Sequence, residues 1–368
     1  MKNVLKDFKN IKTGLLSELE ILSIDKILSV EELTAIMENK SRRVLERFGQ
    51  VSVSGVNHPQ LLSILADVKA YWKDNFRPPL TSFSCEAVGG QPEVTEDASL
   101  MISLLGAGLG IHDDIIDKSL YKHGRNTILG LYGIEDALLV GELFIVKALT
   151  LIRETVRKNY CREKILNIVE EFESFFLEVW EGEFMETQCR RNLNQELEHY
   201  QKILWMSTAD TEACSRFGAV LGGGSEMEVE ALAEVGRRIG FMHRLTEDIK
   251  DTLNSGYLPR RLKNESIPLP ILYAAKSSKS NEIKIKSILE QSSITLKDVL
   301  IIWEFCLKSD TFNYVLRLAK ENEMKAIRKL NLLKKSEARC VLTSMVINKF
   351  DVIDKLCKGA CICSTKSD

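Results

Sequence analysis

The sequence predicts an all-α protein, mainly because proline is scarce. The chain has 368 residues and only 7 prolines, and none of them lies within 93–258 or 271–368. Proline breaks helices because it lacks the backbone N–H and clashes with the preceding turn. Two such stretches, in a chain with 45% hydrophobic and 28% charged residues, therefore favour amphipathic helices. A β-sandwich or a β-barrel would need turn residues every ~8–12 positions, and these stretches lack them.

Start and stop signals place the helices in chain order. Residues 1–75 are expected to form several amphipathic helices, with a loop at 54–59. Arg77-Pro78-Pro79 is expected to end one helix, and Leu80–Ala87 to begin the next. Further helices are expected from Thr95 as N-cap to about Ser119, then at about 134–158, 160–190, 193–222 and 227–253, followed by a loop from Asn254 to Pro270, a helix from Leu269 to Lys276, a polar loop through Asn281 and three or four helices to Lys358.

Composition limits the class of protein. Fifty basic against 52 acidic residues give a net charge of −2, without the basic excess of a nucleic-acid-binding protein. The N-terminus has no secretory apolar run, and the most apolar stretch, 137–152, is too short to span a bilayer. We therefore expect a cytoplasmic protein without stable membrane insertion and with reduced cysteines. We expect one domain over 1–368, with N-terminal helices at 1–70, a motif-bearing core at 71–275 and C-terminal helices at 276–368.

A first acidic cluster, Asp113-Asp114-Ile115-Ile116-Asp117, ends an apolar helix rich in small residues. Positions i and i+4 are neighbours on one helix face, so Asp113 and Asp117 align and Asp114 flanks them. Three carboxylates in apolar surroundings repel one another, and a hard cation such as Mg²⁺ relieves that repulsion. The alternative for this cluster alone is a solvated helix end.

A second acidic cluster, Glu247-Asp248-Ile249-Lys250-Asp251, repeats the pattern 134 residues later on another predicted helix. Two such clusters could face each other across a helical bundle. The carboxylates would then bind Mg²⁺, the Mg²⁺ would bind a diphosphate, and basic side chains would take the remaining phosphate charge.

Further motifs stand in order around the two clusters. Leu109–Asp117 looks like the first aspartate-rich motif of the trans-isoprenyl diphosphate synthases, the polyprenyl synthetase family, and Gly236–Asp251 looks like its second aspartate-rich helix. The resemblance covers roughly residues 70 to 275 in unbroken order. The other similar segments are Phe76-Arg77-Pro78 with Glu86–Gly90, Gly124–Thr127, Ala137–Glu142, Gly182–Glu186, Ser207-Thr208-Ala209 and Ser266–Pro270.

The resemblance implies an all-α bundle around a deep apolar cavity, and members of the family are usually homodimers. It also implies the following reaction. An allylic diphosphate ionises under Mg²⁺, three ions in the family, and isopentenyl diphosphate attacks the carbocation. The metal ligands implied are Asp113, Asp114, Asp117, Glu186, Glu247, Asp248 and Asp251. The residues implied to act in catalysis are Asp113, Asp117, Lys122, Thr208 and Arg244. Those implied to contact prenyl diphosphate substrates are Arg77, Lys122, His123, Arg244 and, at the chain cavity, Gly108.

The positions that bind isopentenyl diphosphate in the family depart from its pattern. Asp74, Gly106 and His123 stand where the family has a lysine, a histidine or glutamine, and an arginine, and Arg77 alone is kept. An aspartate repels a diphosphate, and one misplaced charge costs ~1–4 kcal/mol near a surface. Lys73, one position away, could partly compensate.

The departures leave three functions open. The first is a prenyltransferase with an altered pocket for its second substrate. The second is a class I terpene cyclase, which needs one diphosphate and no isopentenyl diphosphate site. The third is a non-catalytic partner of an active synthase, against which the retention of both acidic clusters argues.

Two weaker signals also have alternative interpretations. Gly108, five residues before Asp113, either leaves room for a long prenyl chain or allows close helix packing. Cys357, Cys361 and Cys363 lack a second ligand pair at zinc spacing, and we expect them to be reduced thiols in a mobile tail.

Overall fold

The computed structural model describes residues 27–122, 124–157 and 162–364, and these residues form an all-α fold. A two-residue antiparallel hairpin, β1 (Tyr121–Lys122) and β2 (Arg125–Asn126), is the strand pair within them. The predicted fold class is confirmed. The helices are α1 (Val30–Val53), α2 (Pro59–Tyr71), α3 (Arg77–Ala87), α4 (Glu96–Ile116), α5 (Ile128–Tyr132), α6 (Ile134–Arg157), α7 (Arg162–Gln188), α8 (Leu197–Met206), α9 (Ala209–Gly222), α10 (Glu226–Leu253), α11 (Leu258–Asn264), α12 (Leu269–Lys276), α13 (Lys279–Leu289), α14 (Leu296–Lys308), α15 (Thr311–Leu330) and α16 (Glu337–Ser364).

The two helices that carry the acidic clusters lie in the middle of the bundle. Helix α4 packs against α6, and α10 packs against α9, α15 and α16. A capping box at the start of α10, in which Ser225 and Glu228 satisfy each other's backbone N–H groups, fixes its first turn. Fully buried side chains such as Phe48, Phe144 and Phe217 fill the surrounding core. Burial on several sides holds the carboxylates of both helices in place.

Close packing of α4 on α6 depends on glycine. A side chain at Gly108 would place its Cβ 2.7 Å from the carbonyl oxygen of Gly141, and a side chain at Gly141 would meet the ring of His112. Both glycines therefore let the helices approach closely. Of the two interpretations of Gly108, the structure supports helix packing.

Several predicted boundaries are wrong. Arg77-Pro78-Pro79 opens α3 instead of ending a helix, because proline is tolerated in the first turn, where no N–H partner exists. The helix expected at 193–222 breaks at Ser207–Thr208, and the expected loop 254–270 contains α11. Thr95 precedes α4, but its hydroxyl donates to the carbonyl of Pro92 and does not cap the helix.

The structure also bears on two further expectations, one about membrane insertion and one about the C-terminal cysteines. Among the described residues, Pro92–Ile116 is long and apolar enough to cross a membrane, but 61% of its most apolar window is buried within the protein, as in a core helix. Cys357 is buried in α16 and is not part of a mobile tail. The side chains of Cys361 and Cys363 lie outside the described part of the chain.

Candidate active site

The two acidic clusters face one cavity, as the sequence predicts. Asp113 and Asp117, at the C-terminal end of α4, line a cavity of about 780 Å³. Glu247 and Asp251 from α10 line the same cavity, and Glu186 from α7 joins them. Residues far apart in sequence thus converge because α4, α7 and α10 end around a common space.

Two further cavities adjoin the acidic one. One, of about 200 Å³, lies between α4 and α7; apolar side chains such as Leu105 and Trp180 line part of it, and charged ones such as Asp113 line the rest. The other, of about 520 Å³, contains Asp74 and Lys349. We call them the apolar cavity and the second polar cavity. Arg244 lines all three, so a ligand in any of them meets the same guanidinium.

In the first acidic cluster, Lys122 compensates part of the charge. Its Nζ lies 2.8 Å from Oδ2 of Asp113 and 3.4 Å from Oδ1 of Asp114. Burial opposes ionisation of Asp113, but Lys122 outweighs it and lowers the pKa of that carboxyl. Burial and the charge of Asp113 raise the pKa of Asp117 to about 9. Asp114 does not line the cavity, so its predicted role as a metal ligand is not supported by its position.

In the second acidic cluster, the three carboxylates have different environments. Glu247 is paired with Lys250 at 2.9 Å and lies partly exposed in the cavity. Burial raises the pKa of Asp251 to about 7, although Arg261 lies 3.4 Å away. Asp248 lines the cavity and also has a structural role: its oxygens accept the N–H of Leu269 (2.9 Å) and the hydroxyl of Tyr200 (3.2 Å). Asp248 therefore anchors α12, and its role as a metal ligand stays a prediction.

Arg261 holds this wall together, and the sequence analysis assigned it no role. It is 4% exposed, and its guanidinium lies 3.6 Å from Glu186, 3.6 Å from Asp248 and 3.4 Å from Asp251. Glu186 also accepts the hydroxyl of Ser266 at 2.5 Å. Opposing charges from the two arginines at positions 244 and 261 therefore outweigh burial and lower the pKa of Glu186. Glu186 thus pairs with both arginines while it lines the acidic cavity, and its role as a metal ligand stays a prediction.

The residues of the acidic cavity fit a divalent cation. Within the described ranges, no three His, Cys, Asp or Glu side chains form a ready-made metal cage. Mg²⁺ in proteins is usually held by one or two carboxylates together with substrate phosphates, which matches carboxylates on opposite walls. Burial, and after it the neighbouring carboxylates, raise the pKa of Asp117 and of Asp251 and so disfavour their ionised forms. A cation between the walls would relieve this repulsion.

Arg77 in the second polar cavity is already paired. Its Nε lies 2.8 Å from Oδ2 of Asp210, and its Nη1 lies 3.5 Å from Oδ2 of Asp74. Asp74 also accepts the backbone N–H of Arg77 at 3.0 Å, and so caps α3. A side chain at Gly106 would place its Cβ 3.2 Å from the guanidinium carbon of Arg77. Asp74 and Gly106 therefore both accommodate this arginine.

Thr208 and Ser207 line the second polar cavity at the break between α8 and α9. Their hydroxyls donate to the carbonyls of Trp205 (2.8 Å) and Leu204 (2.9 Å) respectively. Both hydroxyls therefore satisfy backbone carbonyl groups at the end of α8 in this conformation. His123, the remaining predicted substrate contact, lies outside the described residues.

The apolar cavity corrects one prediction and adds a residue. Gly106 and Gly110 line it, whereas Gly108 faces α6. Counting back from Asp113 in helical steps of three and four would have found Gly110 and Gly106. Glu183 also lines this cavity, and burial together with Glu186 raises its pKa to about 7.

Carboxylates on two walls, cations between them and an adjoining apolar cavity fit a metal-dependent enzyme that handles diphosphates with apolar chains. The family model for polyprenyl synthetase matches residues 70–304. The chain therefore belongs to the polyprenyl synthetase family and is an enzyme that transfers prenyl groups. Enzymes of this family depend on Mg²⁺.

Known proteins similar to this chain agree with that assignment. A short chain isoprenyl diphosphate synthase of Methanothermobacter thermautotrophicus is 28% identical over 61% of this chain and 67% of its own length. Solanesyl diphosphate synthase 2 of Arabidopsis thaliana is 24% identical over 89% of this chain and 78% of its own. Neither relative supports the cyclase or the non-catalytic alternative.

Solved structures share the fold. The geranylgeranyl pyrophosphate synthetase of Pyrococcus horikoshii superposes with a TM-score of 0.77 at 22% identity, covering 87% of this chain and 98% of its own. A polyprenyl synthase of Caulobacter crescentus, complexed with calcium and isoprenyl diphosphate, superposes with a TM-score of 0.73 at 21% identity, covering 89% and 98%.

Proposed function

We propose that this enzyme extends an allylic prenyl diphosphate with isopentenyl diphosphate. One observation carries the proposal: both acidic clusters face one cavity, and Arg244 connects that cavity with the second polar cavity and the apolar cavity. The allylic diphosphate would lie between the clusters, its chain in the apolar cavity and isopentenyl diphosphate in the second polar cavity. This arrangement gives two diphosphates and one hydrocarbon chain separate places around one arginine.

The carboxylates of Asp113, Asp117, Glu247 and Asp251 would hold Mg²⁺, three ions by resemblance to the family. The bound metal supplies positive charge to the leaving diphosphate. Lys122 and Arg244 would donate hydrogen bonds to the same phosphate oxygens, where negative charge grows as the allylic C–O bond breaks. The ammonium of Lys122 now contacts Asp113, so it would exchange that contact for one with a phosphate oxygen.

The reaction balances without a further reactant. The allylic C–O bond breaks and diphosphate leaves with the electron pair. The double bond of isopentenyl diphosphate then attacks the carbocation, a C–C bond forms, and a proton passes to the released diphosphate. Leu105, Phe175 and Trp180 line the apolar cavity and would exclude water, which otherwise captures the cation.

We also propose a single domain, a homodimer and a cytoplasmic location. Buried apolar residues from Leu28 to Cys357 belong to one core cluster, which supports the single domain. Helix α6 exposes an apolar row that supports the homodimer, because such a row is costly in water. The row consists of Leu138, Leu139, Val146 and Leu149, each 46–65% exposed, and the exposed Glu142 lies among them.

The proposal is tested by incubating the purified enzyme with Mg²⁺ and farnesyl or geranylgeranyl diphosphate, with and without isopentenyl diphosphate. We expect a longer prenyl diphosphate only when both substrates are present. Asp113→Asn should abolish it, while Glu304→Gln, at an exposed surface pair with Lys308, should not change the rate. Release of hydrocarbon or alcohol and free diphosphate without isopentenyl diphosphate would contradict the proposal, as would the absence of any turnover.

A further inference from the structure

The cationic side chains of the second polar cavity differ in whether a carboxylate is paired with them. Arg77 is paired with Asp210 and Asp74, and Arg244 lies 3.5 Å from Glu186. Lys349 differs from both arginines: among the described residues, no carboxylate lies within ion-pair distance of its ammonium. A partly buried ammonium that faces a cavity without a carboxylate partner is a site for an anion.

The surroundings of Lys349 hold its ammonium toward this cavity. Its Nζ lies 3.5 Å from Nδ1 of His243 and 5.8 Å from the ring centre of Phe76. In the tautomer that carries its hydrogen on Nε2, His243 accepts a hydrogen bond from Lys349. Desolvation and the nearby Lys250 lower the pKa of Lys349 to about 8, against the opposite effect of Glu247. Its charge is thus poorly compensated within the protein, and an anion would stabilise it.

Position 74 across the same cavity carries the opposite charge. Asp74 stands where the resemblance predicts a lysine, and its carboxylate is committed to α3 and Arg77. Among the described residues, two lysines of this cavity have no carboxylate partner, Lys349 on α16 and Lys73 just before α3, and Lys349 is the less exposed of the two. Nothing in the sequence around Lys349 forms a motif, so only the fold places it here.

We propose that Lys349 anchors the diphosphate of isopentenyl diphosphate in the second polar cavity and thereby takes the place of the lysine absent at position 74. This inference rests on the proposed function and names a residue for its second substrate. Lys349 does not line the acidic cavity, so it contributes to binding of the second substrate and not to that of the allylic diphosphate. Helix α16 then forms part of the active site.

The experiment is a calorimetric titration of the metal-free full-length enzyme with isopentenyl diphosphate. We expect Lys349→Met and Lys349→Gln each to weaken binding about tenfold or more, the effect of losing one charge-assisted hydrogen bond. Lys349→Arg should keep the affinity within about threefold. The control is Lys355→Met, which removes an exposed lysine of the same helix and should bind like the wild type.

In turnover, Lys349→Met should raise the KM for isopentenyl diphosphate about tenfold and leave the KM for the allylic diphosphate unchanged. Wild-type affinity in both uncharged variants would overturn the inference, as would an equal rise of both KM values. A thermal melt of each variant shows whether it is folded, and Lys349→Gln replaces Lys349→Met if the latter is not. If the wild type fails to elongate prenyl chains, the proposed function fails, and the titration still decides whether Lys349 binds this diphosphate.

Discussion

The guanidinium of Arg244 stands 3.5 Å from the carboxylate of Glu186, at the point where the acidic, second polar and apolar cavities meet. Arg244 lies on α10 and Glu186 on α7, so this pair joins two walls of the active site. Arg261 approaches the same carboxylate from a third element. Because Glu186 is paired with two arginines, the cationic centre of the site is fixed before any substrate binds.

Removing the carboxylate that pairs with Arg77 should improve binding of the second substrate. Asp210→Asn leaves the shape of the site and removes one of the two carboxylate charges beside Arg77, whose Nε lies 2.8 Å from Asp210 and whose Nη1 stays 3.5 Å from Asp74. We expect the KM for isopentenyl diphosphate to fall about threefold to tenfold, with kcat changed little. A higher KM in steady-state assays would mean that Asp210 is needed to orient Arg77.

Replacing Gly110 should change the length of the product, whereas replacing Gly108 should change the stability of the protein. A Cβ at Gly110 meets nothing within 4 Å, so Gly110→Leu should fill part of the apolar cavity and shorten the product chains. Gly108→Ala should lower stability by about 1–3 kcal/mol through overpacking against α6, without changing chain length. Chromatography of dephosphorylated products and urea unfolding measure the two effects, and shorter products from Gly108→Ala would contradict this assignment.

Stability of the metal-free enzyme should fall as the pH rises. Burial raises the pKa of Asp251 to about 7 and that of Asp117 to about 9, so the folded state holds these protons more tightly than the unfolded chain. The contribution of these two carboxyl groups to the free energy of unfolding is fully present below pH ~4. It is lost as the pH rises through about 7 and towards about 9. Scanning calorimetry should show a falling Tm over that range, and Mg²⁺ with inorganic diphosphate should reduce the fall. A Tm that rises between pH 5 and 8 without metal would contradict it.

A charge in the exposed row of α6 should dissociate the proposed dimer. Val146→Glu adds a second carboxylate to that row, one helical turn from the exposed Glu142, at a position where Val146 is 57% exposed. Burying an unpaired charge at an interface is costly. Light scattering should give a dimer for the wild type and a monomer for this variant. Leu332→Glu, at an exposed leucine between α15 and α16, is the control and should stay dimeric.

The sequence predicted the elements with strong helical patterns and missed those that depend on tertiary contacts. Helices α6 and α10 were predicted to within about a residue at each end, because each is long and free of proline and α10 begins at a serine cap. The break between α8 and α9 at Ser207–Thr208 was missed because no glycine or proline marks it. Helix α11 was missed because Asn254, Gly256 and Pro259 are typical of a loop, although proline is tolerated in the first turn of a helix.

The same distinction applies to the site. Spacing alone put Asp113 and Asp117 on one face and predicted that they would meet Glu247 and Asp251 around one cavity. Spacing could not show that the backbone N–H of Leu269 donates a hydrogen bond to Asp248, since that contact depends on how α12 packs against α10. Lys349 lies 106 residues after His243 in the chain, and no local pattern relates the two.

The central claim is that both acidic clusters bind one metal–diphosphate complex, and calorimetry with inorganic diphosphate and Mg²⁺ tests it most directly. The variants are Asp113→Asn and Glu247→Gln, one from each wall, with Glu304→Gln as the surface control. We predict that each cluster variant binds the complex at least about tenfold more weakly than the wild type, while the control binds equally well. Wild-type affinity in either cluster variant would contradict a shared site.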